Sequence, residues 1–293
     1  MPRFLSPKEL AEAMGVSESS LKRWADEGLL QVSRTAGGHR RIALREAIRY
    51  IRHAGLPVVK PQVLGLADLY AVPPSAAGNR GLDQALVQAL KDGQTEMTRG
   101  IVLALYLGGR SVAELCDGPL TGALHEVGDL WRHDPEGIFI EHRAVDLCTQ
   151  ALQLLRSLFP PPDKNPPVAV GGALEGDPYS LPTLMVATVL GAAGWQAFNL
   201  GANLPVAAWL AAVKRHRPSL VWMSCSVDEA AREHDREFRR AAARLAGEGV
   251  KVIVGGRAWK SRRWEADAGL TATGSMVEVA AFAEGLRAAQ SAR

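Results

Sequence analysis

Apolar residues recur three and four positions apart through most of the first 160 residues. After a proline-rich break they regroup into short runs that alternate with helical periods. Ser6-Pro7-Lys8-Glu9 carries helix-start chemistry: Ser6 to cap, Pro7 for the first helical position and Glu9 to close a capping box. Leu10, Ala11 and Met14 supply the inward stripe, and Gly15 ends the helix. Ser17 opens a second helix, Glu18 to about Glu27, which stops at Gly28. Leu29–Val32 reads as a strand, Thr35–Arg41 as a hairpin tip, and Ile42 resumes the strand. A third helix, about Leu44 to His53, turns Ala47, Ile48 and Ile51 inward. The pattern predicts a winged helix-turn-helix over residues 1–60.

The stretch Ala71-Val72-Pro73-Pro74-Ser75 reads as linker. Four helical periods follow, at about 82–91, 94–108, 110–131 and 137–158, and their short connections predict a four-helix bundle over 76–159. Pro160–Pro167 is a stiff, extended boundary. Beyond it, candidate strands Val168–Ala173, Gln196–Gly201, Leu220–Val227, Lys251–Gly256 and Leu270–Gly274 alternate with helices near 182–193, 206–216, 229–248, 262–267 and 276–289. This alternation predicts a doubly wound, Rossmann-like parallel sheet over 168–293, with ligands at the carboxyl edge of the strands. The fold class is therefore multidomain, α followed by α/β.

Composition narrows the function classes. No apolar run reaches the length of a membrane span, and the N-terminus lacks a signal-peptide pattern, so a cytoplasmic protein without a membrane partner is expected. Cys116, Cys148 and Cys225 offer neither a disulfide framework nor a metal site. The net charge of +3 is uneven: residues 1–60 hold eleven Lys and Arg against six Asp and Glu, a local +5, which leaves −2 for the rest. A basic first fifth suggests that this end meets a polyanion.

The second helix would offer Ser19, Ser20, Lys22 and Arg23 to base edges or phosphates. At the hairpin, Arg34, Arg40 and Arg41 are candidate backbone or minor-groove contacts; Gly37-Gly38 permit the turn and His39 is a candidate brace. The plainer alternative is a small helical cap with a solvated basic face. Residues 6–52, and above all the run Arg34-Thr35-Ala36-Gly37-Gly38-His39-Arg40-Arg41, resemble the MerR-family DNA-binding domain and its wing. The resemblance implies a double-stranded DNA operator and a homo-oligomer that probes repeated sites, acting as a repressor.

Trp131 is followed ten positions on by Glu141-His142. Taken singly, such residues are usually core and solvated surface. The spacing resembles a signature of CarH-type and LitR-type photoreceptor regulators, in which the Trp covers adenosylcobalamin and the Glu and His line the adenosyl pocket. Those regulators commonly place a histidine directly after the Trp; here that position is Arg132, with His133 one step on. After the first sheet strand, Glu175-Gly176-Asp177-Pro178-Tyr179-Ser180-Leu181-Pro182 resembles the cobalamin-binding signature Asp-x-His-x-x-Gly, with Tyr179 at the cobalt-ligating position and Pro182 at the glycine. Ser224 resembles the Ser of a Ser-x-Leu element, and Gly255-Gly256 its Gly-Gly element; small residues there would let a nucleotide tail slide along the sheet edge. Imidazole is a good axial donor for cobalt, and a neutral phenol is a poor one.

The cofactor reading therefore has three branches: cobalamin, another tetrapyrrole such as biliverdin, or no ligand. The leading function is a DNA-binding transcription regulator whose C-terminal module senses a ligand or light. A ligand-free adaptor and a corrinoid methyltransferase module are the alternatives. No catalytic constellation and no metal-ligand set by spacing is apparent, so an enzyme is not expected.

Overall fold

A computed structural model describes residues 3–76, 78–130, 135–160, 164–260 and 269–291. The chain divides into two compact units, Met1–Ser111 with Gly118–Pro161, and Val112–Asp117 with Pro162–Arg293.

The first unit opens with β1 (Phe4–Leu5), α1 (Pro7–Met14), α2 (Glu18–Asp26), β2 (Ser33–Arg34), β3 (Arg40–Ala43) and α3 (Leu44–Ala54). The capping box forms: Glu9 N donates to Ser6 Oγ at 3.2 Å and Ser6 N to the Glu9 carboxylate at 2.7 Å. β3 pairs antiparallel with β1 on one side and β2 on the other. The strand expected at Leu29–Val32 is displaced. The amides of Leu29 and Leu30 both turn back to the Trp24 carbonyl, and the amide of Gln31 donates to Glu46 at 2.8 Å, so pairing starts only at Ser33. Leu30 is buried as an anchor rather than alternating along a strand.

A short α4 (Pro61–Leu64) and a 3₁₀ turn (Ala67–Ala71) lead into the helices α5 (Gly78–Asp92), α6 (Thr95–Leu107), α7 (Val112–Leu115), α8 (Thr121–Leu130) and α9 (Pro135–Leu158). α5, α6, α8 and α9 pack as the bundle, around Leu86, Leu90, Ile101, Val127, Leu147 and Leu152. The helix expected over 110–131 runs from Val112 to Leu130 and is interrupted as a regular α-helix by a π segment, Cys116–Leu120, which contains Pro119. Proline brings no N–H to the ladder and crowds the preceding turn, which the π segment accommodates. Arg52 of α3 ties the head to the bundle. Its guanidinium lies 3.6 Å over the Tyr106 ring and donates to the carbonyls of Tyr106 and Arg110.

In the second unit β4 (Val168–Ala173), α10 (Ser180–Ala192), β5 (Gln196–Asn199), α11 (Val206–His216), β6 (Leu220–Ser224), α12 (Asp228–Gly247), β7 (Lys251–Gly255), β8 (Leu270–Ala272) and α13 (Met276–Ser291) alternate as the pattern predicts. The sheet order is β5-β4-β6-β7-β8, and every pair is parallel. α11 and α12 cover one face over Val221, Met223 and Cys225, whereas α10 and α13 pack together on the other. The strands stop short of their expected ends, β5 at Asn199 and β6 at Ser224, because the following residues turn into the edge loops. The helix expected at 262–267 lies outside the described residues. Residues 112–117 join this unit, where the Asp117 carboxylate accepts from the amides of Met276 and Val277 and caps α13.

Candidate functional site

The basic surface of the head is built on α2 and the β2–β3 hairpin. Ser17 caps α2 by accepting from Ser20 N at 3.1 Å, and its hydroxyl also meets those of Ser19 and Ser20 at 2.8 and 2.9 Å. Lys22 and Arg23 point outward, 54% and 67% exposed, with Glu18 and Glu27 as their i,i+4 partners. Trp24 turns inward against Tyr50, ring centroids 5.2 Å apart. The hairpin closes through its own backbone: Thr35 N donates to the His39 carbonyl, and Gly38, at φ 80°, donates to the Thr35 carbonyl. The Thr35 hydroxyl accepts from His39 N. The bracing expected of the His39 side chain is thus done by Thr35 and the backbone.

Arg34, His39 and Arg41 are exposed along the wing. Arg40 departs from the expected outward reach. Its guanidinium donates to Asp26 Oδ1 at 2.6 Å and to the Lys22 carbonyl at 3.1 Å, so it clamps the wing to the end of α2. The spacing of charges along a hairpin does not reveal which arginine folds back, because that depends on where α2 ends.

At the other candidate site, the order β5-β4-β6 reverses the winding direction between β4 and β6, which opens a crevice at their carboxyl ends. Asp177 sits there, 1% exposed. Its carboxylate accepts from Tyr179 N at 3.0 Å and from Ser226 N at 2.6 Å, stapling the loop after β4 to the loop after β6. Burial holds this carboxyl above the usual aspartate range, opposed by those two amide bonds and by the charge of Arg257. Tyr179 stands at the N-terminus of α10 with 47% of its surface exposed. Ser224 is buried, its hydroxyl 3.4 Å from the Gly172 carbonyl. Gly256 has φ 110°, and a Cβ there would collide with the Cys225 carbonyl, so the backbone needs glycine at this close approach. On α9, Glu141 and His142 lie side by side, Glu141 Oε2 3.8 Å from His142 Nε2, with the His142 side chain 77% exposed. Trp131 lies outside the described residues.

One group was not singled out by sequence. On the α10 face, Trp222 of β6 is 1% exposed, and its Nε1–H donates to Thr183 Oγ1 at 2.8 Å. The Thr183 hydroxyl donates to Asn199 Oδ1 at 3.0 Å, which also accepts from Gly201 N at 3.1 Å. Gly171 is paired directly with Trp222 across β4 and β6, and a Cβ on it would overlap the indole.

Comparison with known proteins bears on both sites. The description "MerR family regulatory protein" matches residues 6–42. Two families, each described as a B12 binding domain, match residues 82–156 and 167–280. The chain joins a MerR-type region to B12-binding domains.

Among curated relatives, dimethylamine corrinoid protein 2 of Methanosarcina mazei is 25% identical over 194 residues, covering 61% of this chain and 88% of the relative. The dimethylamine corrinoid protein of Methanosarcina barkeri is 24% identical over 190 residues, covering 61% and 88%. The solved monomethylamine corrinoid protein of Methanosarcina barkeri matches with a TM-score of 0.54 and 19% identity, covering 71% of this chain and all of that one, a likeness of fold.

Corrinoid chemistry sets two demands that the second B12-binding domain can be tested against. A cobalt released from its own benzimidazole is best served by an imidazole from the protein, and the displaced nucleotide needs room. The loop after β4 offers the phenol of Tyr179 and no imidazole. The sheet face beside Ser224 and Gly171 is filled by Trp222. The residues present do not fit a cobalamin held with its benzimidazole displaced and inserted.

Proposed function

We propose that this chain is a transcription regulator that binds double-stranded operator DNA through its MerR-type region. It works as a homo-oligomer, with the B12-binding domains as its sensing and assembling body. On this reading it is not an enzyme; the phenol of Tyr179 disfavours a role as a cobalt-centred methyl carrier. The observation that carries the proposal is the Arg40 clamp, which holds the exposed Arg34 and Arg41 of the wing at a fixed offset from Lys22 and Arg23 on α2. Two basic elements held rigidly apart suit simultaneous contact with a groove and its flanking phosphates.

The test is selection from a random double-stranded DNA library with the full chain, followed by titration of the enriched sequence across salt concentrations. Enrichment of a repeated or palindromic sequence, with affinity falling steeply with salt, is expected. Lys22→Ala or Arg23→Ala should shift the selected sequence. Binding no tighter than to unselected DNA would overturn the proposal.

A further inference from the structure

We infer that Trp222 plugs the space between β4, β6 and α10, and that this domain therefore excludes an inserted cobalamin nucleotide tail. The inference deepens the corrinoid-type reading of residues 167–280 and rests on it.

Three observations combine. First, side chains at Leu220, Trp222 and Ser224 share one sheet face, because side chains alternate along a strand, and that face is the one α10 covers. A tail running down from the β4–β6 crevice past Ser224 meets the Trp222 indole next. Second, the indole is fixed. It is buried, its one polar atom is satisfied by Thr183, and Thr183 is in turn held by Asn199. Swinging it aside would break the bond of its buried N–H to Thr183. Third, the neighbouring strand is cut to receive it: Gly171 leaves the notch that the indole enters, and any larger residue there would collide with it. A core built in this way has no spare volume for a benzimidazole nucleotide. The corrinoid class compatible with the domain is one whose tail stays outside the sheet or is absent.

The experiment titrates the full-length chain in the dark with aquocobalamin and with cobinamide, which has the same ring and no nucleotide. The readout is the ratio of their two affinities, together with the absorption spectrum. In the wild type the ratio should stay within about twofold, under 0.5 kcal/mol of discrimination. Tyr179→His supplies the missing imidazole but leaves the plug in place, so alone it should not change the ratio. Tyr179→His with Trp222→Ala should raise the preference for cobalamin by about tenfold or more, equivalent to about 1.4 kcal/mol, with the spectrum of a displaced benzimidazole.

The inference is overturned if the wild type or Tyr179→His alone already prefers cobalamin by that margin. It is overturned equally if the folded double variant gains no preference. Should the double variant fail to fold, the wild-type Trp222 indole N–H, assigned in a ¹⁵N spectrum against Trp222→Phe, decides. Slow exchange and an unmoved resonance under saturating aquocobalamin support the plug, and a shifted or rapidly exchanging resonance overturns it. The two levels of failure are distinct. Cobinamide binding without a tail-dependent gain in the double variant defeats the plug alone. Binding of neither corrinoid by wild type or folded variants defeats the corrinoid reading with it.

Discussion

On the proposed DNA-binding reading, replacing Arg40 by alanine separates two roles open to a wing arginine. In the free protein its guanidinium makes one ion pair, 2.6 Å to Asp26, and one bond to the Lys22 carbonyl at 3.1 Å. Asp26 is 65% exposed while Arg40 is only 20% exposed, so the pair belongs with screened surface pairs, worth about 0.2–1 kcal/mol. The backbone bond adds about 0.5–1.5 kcal/mol. Together they hold the wing to α2 by about 1–2 kcal/mol, so Arg40→Ala should weaken DNA affinity by about 5–30-fold at fixed salt.

A brace and a phosphate contact differ in three readouts. If Arg40 braces, the salt dependence of Arg40→Ala should keep the wild-type slope, whereas Arg41→Ala should reduce the slope by about one. Asp26→Asn should also weaken binding, although it removes a negative charge facing the polyanion. The double variant should lose less than the sum of the two singles, because both break the same contact. Fluorescence anisotropy on the selected operator over a salt series measures all three. If Arg40→Ala flattens the slope by about one and Asp26→Asn binds DNA as well as or better than wild type, the brace is refuted.

The remaining expectations concern stability and reactivity. Burial pushes the Cys148 thiol up to about 12, so iodoacetamide near neutral pH should leave it unlabelled in the native chain and label it in denaturant, as read by mass spectrometry. Gly256→Ala places a Cβ against the Cys225 carbonyl at φ 110°, which should cost about 1–3 kcal/mol or more and lower the Tm of the sheet unit by several degrees. Burial raises the Asp177 carboxyl above its ordinary value, so the native state binds that proton more readily than the unfolded state. Its contribution to stability should fall as pH rises from the ordinary aspartate range through the raised native value. Urea unfolding at a series of pH values should show that slope in wild type and lose it in Asp177→Asn; a slope of opposite sign would contradict the assignment.

The parts of the fold that could be read from sequence are those fixed by local chemistry. Ser6, Pro7 and Glu9 determine a helix start among themselves, and the single apolar runs of β4, β6 and β7 can satisfy both faces only inside a parallel sheet. What escaped depends on partners distant in the chain. The displaced strand near Leu30 answers to Glu46 and Trp24, and the break in the third bundle helix is tied to Asp117, which caps a helix some 160 residues later. At the sites, residue types were legible and directions were not. Arg40 and Arg41 are neighbours with the same charge, yet alternation along β3 sends one back onto α2 and leaves the other exposed.

The corrinoid-type edge shows why a signature must be read together with its surroundings. Asp177 and Gly256 keep their geometric duties: one staples two loops, and the other lets β7 turn under Cys225. Neither duty requires a bound ligand. Trp222 and Gly171 form a matched pair by contrast. With a side chain at position 171 the indole has nowhere to lie, and with a small residue at 222 the glycine leaves a void against α10. Each is costly without the other, so the pair resists reversal by a single substitution. On the plug reading, Tyr179→His alone leaves that space filled by the indole.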